Sequence, residues 1–335
     1  MADPRPEPLD DHALDGLWDG REVLQAGRAR ADAVVPVQRA LVALFHSLRI
    51  DGDYGPRTQR AVQVAQAARG LATDGVVSRR TLQALAAAIS SPPLQVLPTM
   101  PGIQYPAGPG EPVAGIYRFD RYPGYLALTF DDGPRAGRTD AVLDVLAAAG
   151  VRATFYVLGS RVSQAPDTLR AAVQAGHRVG LHSWDHPDFS KASDHEIRDQ
   201  LERTAGVVRL TLGAVPTPYV RPPYGSPFYS DQPPLRDHWA RVGRVLAAQG
   251  WMLTMWQVDS WDWKYPGDPH RAVQRFAEEL DRAGGGAGLL HDIHSQAAEA
   301  LPGILDLARQ RGLAICDEDT LLALKYGGRG DAALT

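Results

Sequence analysis

The chain has one cysteine in 335 residues, so it cannot close a disulfide within itself. That excludes a small disulfide-stapled scaffold, although secreted proteins can lack disulfides and the compartment stays open. Cys316 lies in "GLAICDED", where a buried strand cysteine is expected rather than a nucleophile. No apolar run is long enough to span a bilayer. There is no long basic run and the net charge is −4, which leaves no electrostatic case for a nucleic-acid partner. The N-terminal "MADPRPEPLDD" lacks the basic start and apolar core of a secretion signal. The expectation is therefore either a cytoplasmic protein or an exported one whose signal is absent from this chain. A hydrophobic content of 44% with 22% charged residues places the chain among ordinary globular proteins, with length for one large domain and one small one.

Residues 1–12 are polar and Pro-rich and are expected to fray, within an N-terminal extension of 1–32. From Leu14 to Leu85, Ala and Leu recur at helical spacing. "IDGDYGPRT" (50–58) and "TDGVVSRRT" (73–81) share an Asp-Gly turn and a Thr seven residues after the Asp, each leading into an apolar helical run. A small all-α domain with an internal pseudo-repeat is predicted over 33–90. Residues 91–123 hold eight prolines and no periodicity, which predicts a linker or wrapping segment. From Tyr125 on, seven strand candidates ("YLALTF", "RATFYVLG", "HRVGLHS", "PTPYVRPP", "MLTMWQVD", "GAGLLHD", "GLAICDE") alternate with helical runs at 139–149, 167–175, 194–212, 235–248, 270–283 and 297–311. The alternation predicts an α/β fold, a distorted (β/α) barrel of about seven strands over 124–326, with 327–335 as a tail. Chemistry in such folds sits at the C-terminal ends of the strands.

Polar residues collect at those ends. "LTFDDGP" (128–134) closes a strand with two adjacent carboxylates. A strand-to-turn junction explains an Asp-Gly-Pro run, but not why two like charges should adjoin. "LHSWDHP" (181–187) places His182 and His186 four apart, within reach of one ion. Two imidazoles and a carboxylate make a zinc or iron site with open positions. The doublet supplies that carboxylate, and a cation offsets its repulsion. "YVRPPYG" (219–225) stiffens the loop carrying Arg221, a permanent cation suited to pairing with a carboxylate. "WQVDSWDW" (256–263) sets two carboxylates among three tryptophans, and "LLHDIH" (289–294) puts His291 straight after an apolar strand. An Asp–His pair is one way to orient an imidazole for acid catalysis.

In their order, these segments resemble the motifs of the NodB-like polysaccharide deacetylases, carbohydrate esterase family 4, over about 125–325. The resemblance implies Asp131 as general base and Asp132, His182 and His186 as ligands of one divalent metal ion. Zinc is the first expectation, with cobalt, nickel and iron acceptable to the same ligand set. It also implies that Arg221 holds Asp131, that Asp262 orients His291 as general acid, and that the Tyr224 backbone N–H helps form an oxyanion hole. Pro223, Trp263 and Leu289 are implied in substrate binding, the last two lining the acetyl pocket. One departure is the stretch "SPFYSDQPPLRDHWARVG" (226–243), longer than the usual loop, which could lie over the groove or be a surface insertion.

The helical module, over about 33–90, resembles the peptidoglycan-binding domain of cell-wall hydrolases, with Ala65-Gln66 in place of the usual aromatic-Gln pair. The expected function is metal-dependent removal of N-acetyl groups from a cell-wall polysaccharide, peptidoglycan first. The alternatives are an ester deacetylase on acetylated xylan, a chitin oligomer deacetylase, and a non-catalytic wall-binding protein.

Overall fold

The structure is a computed structural model that describes residues 5–98 and 114–326. Helices α1 (Asp15–Trp18), α2 (Ala31–Ala43), α3 (Pro56–Ala68) and α4 (Arg79–Ile89) are followed by β1 (Gly115–Ile116), β2 (Tyr125–Asp131) and α5 (Thr139–Ala149). Next come β3 (Thr154–Val157), α6 (Gly159–Val162), α7 (Pro166–Gln174), β4 (Arg178–Leu181), α8 (Asp194–Leu212), β5 (Tyr219–Val220) and α9 (Leu235–Ala248). The chain continues through β6 (Met252–Thr254), β7 (Val258–Asp259), α10 (Pro269–Ala283), β8 (Gly286–His291), α11 (Ser295–Gln310), β9 (Ala314–Cys316) and α12 (Glu318–Tyr326). These elements form two compact units. Of the described residues, the first takes 5–95, 260–278 and 295–313, and the second 96–98, 114–259, 279–294 and 314–326.

The second unit is built on one parallel sheet of nine strands in the order β1-β6-β5-β4-β3-β2-β8-β7, with β9 also paired to β2. It is a curled, barrel-like α/β sheet. Central strands such as β2 are apolar and buried along nearly their whole length, as a parallel sheet covered by helices requires. Local signals start and stop the helices. Ser193 and Glu196 form a capping box at the start of α8, and left-handed Gly213 ends it.

The sheet has nine strands where about seven were expected. "MLTMWQVD" is two strands, because the chain leaves β5's neighbour β6 and crosses to pair β7 with β8. β1 lies inside the expected linker, and Val96 there bridges Ile315. Pairing at a parallel edge uses backbone groups, so a Pro-rich segment without side-chain periodicity can still join a sheet. The remainder of that linker, 99–113, and the tail 327–335 lie outside the described residues. The stretch after Tyr224 is anchored: Phe228 is fully buried, Trp239 packs on Phe228 and Tyr117, and its indole N–H donates to the Pro227 carbonyl.

In the first unit, Leu9, Leu14, Leu17 and Leu24 join the apolar core of α2, α3 and α4. This corrects the expectation of fraying for residues 5–12. One buried leucine and the Arg5–Asp15 ion pair hold that segment, and composition alone does not reveal a single anchoring side chain. The pseudo-repeat has a physical basis. Gln38 Nε2 donates to Asp51 Oδ1, the Asp53 carbonyl and Thr58 Oγ1. Gln66 Nε2 donates to Asp74 Oδ1, the Val76 carbonyl and Thr81 Oγ1. The same unit contains α11, which packs on α3. The Arg69 guanidinium lies 3.0 Å from Asp306, Gln310 Nε2 donates to the Ala68 carbonyl, and Gly303 faces Val64 where a Cβ would come within 2.9 Å of Cγ1.

Candidate active site

Parallel strands present all their C-terminal ends on one side, so the loops after β2, β3, β4, β5 and β8 converge. In the register, Asp131 faces His291 on β8 and Tyr156 on β3. The backbone there is unusual. Outside glycine, positive φ among the described residues occurs at Phe45, Asp132, Ser183, His186, Tyr224 and Trp261. All but Phe45 lie in the site motifs. Left-handed backbone is costly for such residues and persists where surroundings impose it, commonly at functional sites.

Asp132, turned by its φ of 76°, directs Oδ1 to within 3.6 Å of His182 Nε2 and 3.4 Å of His186 Nε2. Ligand atoms of these three residues all lie within 4.8 Å of one another. His182 Nδ1 is 2.6 Å from the Arg221 carbonyl. A carbonyl only accepts, so Nδ1 carries the proton and Nε2 keeps its lone pair. Burial pushes the His182 pKa down to about 3, which keeps the ring neutral. Asp132 Oδ1 is buried without a hydrogen-bond partner. An orphaned carboxylate oxygen facing two imidazole nitrogens is the donor set a divalent cation needs, so the residues fit a metal.

Asp131 is buried and takes a 2.8 Å bond from Arg221 Nη1. Burial raises its pKa, with the Arg221 charge opposing. Arg221 is itself fully buried. Leu289 is buried on β8, and Pro223 is buried in the turn that exposes the Tyr224 ring. That ring meets His186 edge-on at 4.4 Å between centroids. Leu158, Ser160, Arg161, Gln164 and Asp185 border an open cleft with Asp132 and His186. The second unit thus brings together Asp131, Asp132, His182, His186, Arg221, Tyr224 and His291. Asp262 and Trp263 belong to the first unit. There Asp262 is fully buried, with its N–H bonded to Ser260 Oγ and its carbonyl to Gln296, and the Trp263 ring is half exposed.

Sequence reasoning missed three buried polar residues. Glu318 and Tyr156 contact Arg221. Asp292 accepts a bond from Thr139 and has its pKa pushed up to about 7 by burial. Gly133 makes room for it, since a Cβ there would sit 2.2 Å from Asp292 Oδ2. The aspartate after His291 in "LLHDIH" was a visible signal; Tyr156 inside an apolar strand was a weaker one.

The fold and the side-chain cluster define an α/β domain with a carboxylate–imidazole set at its strand ends that could hold a metal ion. Residues 120–232 match the polysaccharide deacetylase family model, and residues 30–85 match a peptidoglycan binding domain model. A peptidoglycan-N-acetylglucosamine deacetylase of Listeria monocytogenes is 36% identical over 201 residues, 60% of this chain and 39% of the relative. A chitooligosaccharide deacetylase of Bradyrhizobium is 34% identical, covering 49% of this chain and 69% of the relative. Among solved structures, the chitin deacetylase of Colletotrichum lindemuthianum superposes with a TM-score of 0.53 at 27% identity, covering 65% of this chain and 94% of that one. A family 4 pseudoenzyme from Bacillus anthracis gives 0.53 at 27% identity, covering 62% and 69%. The chain belongs to the polysaccharide deacetylase family. It spans about two fifths of the length of the Listeria relative.

Proposed function

We propose that this protein is a metal-dependent N-deacetylase of an N-acetylated cell-wall glycan, with peptidoglycan the favoured polymer. The observation that carries the reading is the convergence of Asp132, His182 and His186 beside the buried Asp131–Arg221 pair, with His291 in register across β8. Asp132, His182 and His186 would hold one divalent ion, zinc being the best match to an Asp–His–His set. Such an ion would supply Lewis acidity to an acetyl carbonyl and to a water. Asp131, held by Arg221, takes the proton of the attacking water. His291 protonates the leaving amine, and the Tyr224 backbone N–H stabilises the oxyanion. Leu289 would line the acetyl pocket and Pro223 would contact the substrate. The roles of Asp262 and Trp263 rest on the motif order alone.

Relatives named as peptidoglycan deacetylases support the polymer, and the match at 30–85 supports a wall context. Action on the wall carries export with it. Among the described residues no helix is long and apolar enough to cross a membrane. Chitin oligomers are the second reading, favoured by the chitooligosaccharide and chitin deacetylase relatives. A pseudoenzyme among the similar structures makes a non-catalytic protein a real rival, and the complete residue set here argues against it. The deciding experiment incubates the protein with peptidoglycan, chitin oligomers and acetylated xylan and reads acetyl loss by mass spectrometry. Loss from peptidoglycan, abolished by chelation and restored by zinc or cobalt, is expected. Full activity in a verified metal-free preparation, or turnover of xylan esters alone, would overturn the reading.

A further inference from the structure

Arg221 does more than face Asp131. It lies in a fully buried pocket, and its donors are distributed around it. Nε donates to the Thr254 carbonyl at 3.0 Å, and Nη1 to Thr129 Oγ1 and Asp131 Oδ1, both at 2.8 Å. Nη2, on the far side, points to Glu318 Oε1 at 3.3 Å. Glu318 is fully buried in the first turn of α12, where a helix N-terminus favours negative charge. Its other oxygen accepts a 2.7 Å bond from the Tyr156 hydroxyl. The Arg221 Cζ in turn lies over the Tyr156 ring, 4.0 Å from its centroid. One cation is therefore gripped between two buried carboxylates and an aromatic face. The backbone of the same arginine receives His182 Nδ1. Base and metal ligand are thus both registered to Arg221.

We propose that Glu318 is a positioning residue: by gripping the far edge of Arg221, with Tyr156 orienting it, it fixes the Asp131 carboxylate and the His182 imidazole in one geometry. Glu318 lies outside the five site motifs and touches neither Asp131 nor His182 among the bonds above. It acts through Arg221. Without it, Nη2 becomes a buried cationic donor lacking its acceptor, and the guanidinium is free to shift away from Thr129 and Asp131. A shift there moves the base and the carbonyl that sets the His182 ring together. The proposal rests on the deacetylase reading for its kinetic arm but not for its metal arm.

The test compares the full chain with Glu318→Ala, Glu318→Gln and Tyr156→Phe. One readout is zinc affinity, by competition with a chelator. The other is kcat and KM for acetate release from a soluble N-acetylglucosamine oligomer. Glu318→Ala is expected to lower kcat roughly 10- to 100-fold with KM within about twofold, and to weaken zinc binding about 10-fold, as losses of groups that orient ligands do. Glu318→Gln keeps an acceptor for Arg221 and should recover most of both. Tyr156→Phe keeps the ring under the guanidinium and should fall between. A lowered melting temperature with wild-type kcat and zinc affinity in the Ala variant would show a merely structural role and overturn the proposal. Should the Ala variant fail to fold, wild-type kcat and zinc affinity in Tyr156→Phe overturn it equally. Wild-type protein that binds zinc yet releases no acetate would sink the deacetylase reading, while the zinc affinities would still decide on the clamp.

Discussion

Asp131 and Asp132 adjoin in the chain and both approach His182 Nε2, at 3.7 and 3.6 Å, yet their other partners differ, Arg221 for Asp131 and His186 for Asp132. Asp131 ends β2 with Arg221 at 2.8 Å, while Asp132 turns out toward His182 and His186. The proposed roles divide along the same line. Asp131→Asn keeps the shape and loses the base, so kcat should fall roughly 10²-fold or more. Metal content, read by atomic emission, should stay near one ion per chain. Asp132→Asn should lose metal instead. The opposite pattern would reverse the assignment within the doublet. The doublet, the histidine pair and Arg221 were legible because each is a run of unusual residues at a strand end. Glu318 was not legible, because its meaning depends on α12 meeting the underside of Arg221, about 97 residues away in sequence.

At the scale of elements, helix boundaries were the most legible feature. The helices predicted at 139–149, 194–212 and 235–248 occur at those bounds, because caps and turns mark them locally. Strand partners were less legible, since pairing depends on chain paths that periodicity does not encode; the split of "MLTMWQVD" between β6 and β7 is the example. In the helical repeat, Asp-Gly and Thr were visible as a pattern, but the two glutamines that join them were not, since they stand 13 and 8 residues before their aspartates. Gln66 makes three donor bonds, and its Oε1 accepts from the Gly75 N–H. Gln66→Ala removes a buried partner from these groups, of which the Gly75 N–H and Thr81 lie in buried residues. Its expected cost is about 2–4 kcal/mol, read as a lower urea midpoint, with Gln38→Ala losing a comparable amount. A change within about 0.5 kcal/mol in both variants would mean that the turns hold themselves.

At the scale of the whole molecule, the question is what residues 1–90 contribute. Their match to a peptidoglycan binding domain suggests capture of an insoluble polymer, which raises local concentration without touching chemistry. Helix α11 suggests a second contribution. Its residues from Gln296 to Ala308 are buried, apart from two near its start. A helix buried on most of its surface must be covered by other elements. α3 supplies cover, with Val64 against Gly303, Arg69 on Asp306, and Arg60 3.0 Å from Glu299. Deleting residues 1–90 would uncover that face of α11 and strand Asp306 without Arg69. Apolar exposure of this extent costs several kcal/mol, comparable with the whole stability of a domain. The truncated chain should therefore melt roughly 10 °C or more below the full chain, and it should lose activity on soluble oligosaccharides as well as on intact sacculi. If residues 1–90 served capture alone, the melting temperature and soluble turnover would hold and only sacculus activity would fall. A milder variant separates the two contributions. Arg69→Ala removes one ion pair to α11 while leaving the Asp-Gly turns of the repeat intact. It should lower the melting temperature with little change in binding of the full chain to sacculi. Weaker sacculus binding at an unchanged melting temperature would place Arg69 in polymer capture instead.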